Sequence, residues 1–105
     1  MMNVVLEKFA KRAVNRGGLL LFRGDIAIEV VEEARRTRLP VLGIDGIFVD
    51  EGRTRPSLDD SIDFSIGCCL GDVYGEAIKF LRRHANADLY FEIVLGDEAS
   101  GQLSA

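Results

Sequence analysis

The stretch Asp88-Leu89-Tyr90-Phe91-Glu92-Ile93-Val94-Leu95 decides the fold. Leu89, Phe91, Ile93 and Leu95 fall on one side of an extended chain, and Tyr90, Glu92 and Val94 on the other. A period of two with aromatic and β-branched residues is the pattern of a strand with one face on a core. Upstream, Ser61-Ile62-Asp63-Phe64-Ser65-Ile66 alternates in the same way, with Ile62, Phe64 and Ile66 inward and Asp63 outward. Between these two strands, Val73, Ala77 and Phe80 with Tyr74, Ile78 and Leu81 repeat at helical spacing, after Gly71-Asp72 and before Arg82-Arg83-His84. The second half of the chain therefore reads β, α, β.

Working toward the N-terminus, residues 50–60 are polar and broken by Gly52 and Pro56, and are expected to form a surface loop after an Asp50-Glu51-Gly52 turn. Val41-Leu42-Gly43-Ile44 reads as a buried strand, which Gly46-Ile47-Phe48-Val49 continues or pairs with. Ile26, Ala27, Val30, Val31 and Ala34 form the apolar stripe of a helix, with Asp25 as its expected cap and Pro40 as its stop. Leu19–Phe22 leans toward strand. Residues 3–15 read as a helix with Val5, Phe9, Ala10, Ala13 and Val14 on one face and Lys8, Lys11 and Arg12 largely on the other, ended by Gly17-Gly18. Strands and helices do not alternate one for one. The expected architecture is an α+β two-layer sandwich: a mixed or antiparallel sheet of about four strands packed by two or three helices.

The 105 residues suffice for a single domain, 1–105, and the small polar segment 96–105 is expected to fray. Thirteen Lys and Arg oppose seventeen Asp and Glu, a net charge of −4. That balance speaks against nucleic-acid binding. Residues 1–38 carry eight basic and five acidic residues, whereas 39–81 carry three and eight, so the acidic weight lies mid-chain. No apolar run approaches the ~20 residues of a membrane span. Cys68 and Cys69 are adjacent and geometrically unsuited to an ordinary disulfide, which suits a reducing cytoplasm.

Asp45, Asp50, Glu51, Asp59, Asp60 and Asp63 form an acidic cluster. Carboxylates converging from a strand and a loop could hold a hard cation, but the spacing fits no EF-hand and no histidine is near, so no metal or cofactor is expected. A solvated loop is the commonplace reading, and a docking surface for a basic protein is the functional one. Cys68 or Cys69 with His84 could form a thiolate–imidazole pair. Burial of small apolar cysteines, and a histidine at a helix C-terminus, explain them more simply.

The cadence of Leu39-Pro40-Val41-Leu42-Gly43-Ile44-Asp45-Gly46-Ile47-Phe48, then Arg55-Pro56-Ser57-Leu58-Asp59-Asp60-Ser61-Ile62-Asp63-Phe64-Ser65, then a helix and Leu89-Tyr90-Phe91-Glu92-Ile93-Val94, resembles small bacterial immunity-type proteins of polymorphic and contact-dependent toxin systems. The resemblance spans roughly residues 24–95. It implies a cytoplasmic, non-enzymatic protein, monomer or homodimer, that binds and blocks a cognate toxin by occupying its active-site or binding cleft. Charge then places the expected contact surface at Asp45, Asp50, Asp59, Asp60 and Asp63, with Tyr90 as an aromatic anchor. Two other classes remain open: a small hydrolase or metal-binding enzyme built on the acidic cluster, and an oligomeric structural subunit without a ligand.

Overall fold

The computed structural model describes residues 4–51, 53–64, 72–86 and 88–96. Its elements are α1 (Val4–Phe9), a 3-10 turn (Ala10–Arg12), β1 (Val14–Arg16), β2 (Leu19–Arg23), α2 (Gly24–Thr37), β3 (Val41–Asp50), β4 (Arg53–Asp63), α3 (Val73–His84) and β5 (Leu89–Leu95). The five strands form one sheet in the order β1-β2-β5-β3-β4, with every neighbouring pair antiparallel. β5 therefore lies between β2 and β3, and β3 lies between β5 and β4. The units β2-α2-β3 and β4-α3-β5 are two interleaved split βαβ crossovers.

The helices cover one face of the sheet, which makes the α+β two-layer sandwich. Phe22, Ile44, Leu89, Phe91 and Ile93 of the strands pack with Ala27, Val30, Val31 and Ala34 of α2, Ala77, Ile78, Phe80 and Leu81 of α3, and Val5 and Phe9 of α1. Phe22, Phe91, Ile44 and Leu81 are fully buried. The β5 alternation is thus realised as expected, with Leu89, Phe91 and Ile93 buried and Tyr90, Glu92 and Val94 on the opposite face.

Three local expectations need correction. The first helix stops at Phe9, and Val14–Arg16 turns back on β2 as a hairpin, with Arg16 opposite Leu19. Gly17 (φ 60°) and Gly18 (φ 90°) supply the two left-handed residues that a tight hairpin needs, so Gly-Gly is a turn here and not a helix stop. Residues 53–63 form the longest strand, not a loop. Asp50 stands against Arg53, and pairing runs back along β3. That adds a fifth strand and merges Val41–Asp50 into one. Neither long helix has a side-chain cap: α2 begins at Gly24, before Asp25, and Asp72 precedes α3 without capping it.

The basic side of the first helix meets acids on α2. Lys8 lies 3.2 Å from Glu33, and Arg12 Nη2 donates to Glu29 at 2.8 Å. Pro56 and the flanking Arg53 and Arg55 sit on the outer edge strand, where they discourage further strand pairing. Among the described residues no helix is long and apolar enough to cross a membrane. Cys68, Cys69, Ser65, Ile66, Gly71 and the tail from residue 97 lie outside the described residues.

Candidate functional site

The β3–β4 ladder carries one large irregularity. Ser57 pairs with Gly46 and Ile62 pairs with Ile44, so four β4 residues, Leu58 to Ser61, stand opposite Asp45 alone. The excess chain rises from the sheet as a wide bulge. It fits only because residue 46 is glycine: a Cβ there would lie 2.4 Å from the Asp60 carbonyl oxygen and 2.7 Å from Asp60 Cβ.

The bulge is held by polar contacts at its base. The Gly46 amide donates to Ser61 Oγ at 3.1 Å, and Ser61 Oγ donates to the Ser57 carbonyl at 2.7 Å. Ser57 Oγ donates to Asp60 Oδ2 at 2.6 Å, and Asp60 Oδ1 lies 2.6 Å from His84 Nδ1 at the end of α3. His84 stacks on Phe80, one helical turn back, with ring centroids 4.3 Å apart. The Ser57 hydroxyl, and after it His84, hold the Asp60 carboxyl below the ordinary carboxylate range. At the crest, Leu58 is 89% exposed, the most exposed large apolar side chain described.

Beside the bulge lies an open groove of about 500 Å³, lined by Leu42, Gly43, Asp45, Leu58, Ile62, Asp63 and Val94 among others. Its apolar wall is Leu42, Leu58, Ile62 and Val94, and two carboxylates flank it. Asp45 stands directly opposite Glu92 on β5. Burial first, and Asp45 second, raise the proton affinity of Glu92. The next row on the same face is Pro56, Ile47, Tyr90 and Arg23. There the Arg23 guanidinium lies 5.7 Å from the Tyr90 ring centroid, and Nη1 donates to the Tyr90 hydroxyl at 3.4 Å.

The six residues expected at the contact surface therefore separate. Asp45 and Asp63 share the groove, and Asp59 is exposed on the bulge beside it. Asp60 is turned under the bulge toward α3. Asp50 is exposed at the hairpin tip, five positions along β3 from Asp45 and roughly 17 Å away by strand rise. Tyr90 is half-buried beneath Arg23, at the near edge of the same face. Leu58 and Glu92 join the site without having been singled out. Leu58 interrupts a polar run with no periodicity, and Glu92 read as the solvent face of a strand. The pairing of Ser57 with Ser61 around two acids, opposite a glycine, is the signal that marks the bulge.

Two enzymatic arrangements can be weighed against this geometry. Ser57, Asp60 and His84 are the residue types of nucleophilic catalysis, but their order is wrong for it. Both the serine hydroxyl and the imidazole bond to the carboxylate, so the histidine does not act on the hydroxyl as a base. Among the described residues, no group of three or more His, Cys, Asp or Glu could hold a metal ion. The sequence matches no protein-family model, and no curated protein or solved structure shows significant similarity to it.

Proposed function

We propose that the protein is a non-enzymatic binding protein that neutralises a cognate bacterial toxin by seating the Leu58 bulge and its acid-flanked groove against a basic cleft of that toxin. The observation that carries this reading is Leu58: an apolar side chain held almost bare in water on a hydrogen-bonded bulge. Exposing leucine costs the free protein solvation energy that a partner's apolar pocket would return, about 1.5–3 kcal/mol for full burial. A rigid loop loses little entropy when it docks, so more of that energy appears as affinity. Asp45 and Asp63 flank the same groove and favour a cationic partner, while the net charge of −4 steers its approach. The resemblance of residues 24–95 to immunity-type proteins supplies the class of partner. The protein would act in the cytoplasm, as monomer or homodimer.

The test is co-expression with the product of a neighbouring toxin-like reading frame, followed by purification and stopped-flow association. A stoichiometric complex is expected, with relief of toxicity. Its association rate should fall steeply with salt, and fall again in Asp45→Lys with Asp63→Lys. An association rate indifferent to salt and to both substitutions rejects the acidic groove as the contact surface.

A further inference from the structure

The bulge carries its anchor at the crest and its fastening at the base, and the fastening reaches a different element. Leu58 is exposed beside the groove, whereas Asp60, two residues on, passes beneath the loop to His84 on α3. We infer that Asp60 and His84 are positioning residues of the binding surface: they touch no partner, and they fix the height and direction at which Leu58 is presented. The inference rests on reading the bulge as the binding surface.

Each link in the chain constrains the next. His84 is fixed in two ways, by Nδ1 against Asp60 and by its ring against Phe80, which is itself 6% exposed. Asp60 spends one carboxylate oxygen on His84 and the other on Ser57. Ser57 passes the restraint through its carbonyl to Ser61, and Ser61 takes the Gly46 amide. The Gly46 amide thus reports on the whole chain, because the Ser61 hydroxyl at the base of the bulge is its acceptor. A carboxylate bonded at both oxygens is a stiff strut, since charge-assisted hydrogen bonds are shorter and stronger than neutral ones. Without it, four residues of chain span a single residue of the partner strand, held by Ser61 alone.

The experiment combines amide hydrogen exchange with binding of a synthetic (Arg-Leu)5 decapeptide, whose alternating cations and leucines match the groove. In His84→Ala, the Gly46 and Ser61 amides should exchange roughly tenfold faster, while Leu81 and Ile93 keep their protection. Decapeptide affinity should fall in parallel, on the order of tenfold. His84→Asn places an amide donor near the position of Nδ1 and should restore both. Gly46 protection unchanged in His84→Ala overturns the inference, and so does a loosened bulge that binds the decapeptide as well as the wild type. If Leu81 and Ile93 lose protection to the same degree as Gly46, His84 is a general stabilising contact and the positioning role is rejected. A wild-type protein that ignores the decapeptide counts against the basic-partner reading, and the exchange data then decide separately whether the pair sets the bulge.

Discussion

Asp45 on β3 and Glu92 on β5 stand directly opposite one another, two acids paired across an antiparallel ladder. Like charges in that relationship repel, and among the described residues no ion pair offsets either one. The arrangement costs the free protein stability and favours whatever brings a cation to this face.

Replacing Glu92 by glutamine removes the repulsion and keeps the shape. Glu92 is held above its ordinary value by burial and by Asp45, so folding disfavours its ionised form relative to the unfolded chain. Between the ordinary carboxylate value and that raised value, the wild type should therefore lose stability relative to Glu92→Gln as pH rises. At neutral pH the variant is expected to be more stable by roughly 0.2–1 kcal/mol in denaturant titration. Equal or lower stability at pH 7 would show that the opposition of the two acids carries no cost.

Glu33 has the opposite sign. Arg36 first, and Lys8 with it, hold its carboxyl at about 2, against roughly 4.3 in an unfolded chain. Its contribution is complete above the unfolded value and is lost as pH falls from there toward 2. Thermal melts of the wild type should decline across that window, and Glu33→Gln should decline less. Lys8 and Arg36 are more than half exposed while Glu33 is largely covered, so 1 M salt should shrink the difference between the two proteins only in part. Parallel melting curves for both proteins from pH 5 to pH 2 would remove Glu33 from the acid response.

Where the chain has a buried face, its sequence announces the element. Leu89, Phe91 and Ile93 alternate because the helices cover one side of β5, and Ala27, Val30, Val31 and Ala34 recur because α2 lies on that same core. β4 is an edge strand, and Arg53 to Pro56 are exposed on both sides, so nothing imposes a period of two on them. Its register comes from backbone pairing with β3, which composition does not reveal. The same holds for the site. Asp63 is legible as an acid on the outward face of a strand, and Asp45 as an acid between two apolar runs. The turning of Asp60 toward His84 depends on a bulge that is marked locally by Ser57 and Ser61 and by the room left at Gly46.

That room gives a third prediction. A methyl group at position 46 would meet the Asp60 backbone, which cannot swing aside like the end of a flexible side chain. Gly46→Ala should cost roughly 1–3 kcal/mol, as overpacking does, and should lift the bulge away from β3. The expected signature in a heteronuclear NMR spectrum is a set of shifts confined to residues 45–47 and 57–62 and to His84. A variant as stable as the wild type, with an unshifted His84, would mean the bulge does not rest on Gly46.

Leu58 separates folding from binding most sharply. It is 89% exposed and takes no part in the core that Phe22, Phe91 and Leu81 form, so the folded state gains almost nothing from it. Leu58→Ala should change stability by no more than about 0.5 kcal/mol, whereas Phe91→Ala should cost roughly 3–5 kcal/mol. In the complex the ranking should invert. As a central anchor, Leu58 truncated to alanine should weaken partner binding by about 2 kcal/mol or more, close to thirtyfold, chiefly through faster dissociation. Calorimetric titration beside a denaturant melt of the same sample checks both halves. Unchanged affinity with unchanged stability would leave the exposed leucine without a role at the interface, and the contact surface would have to be sought away from the bulge.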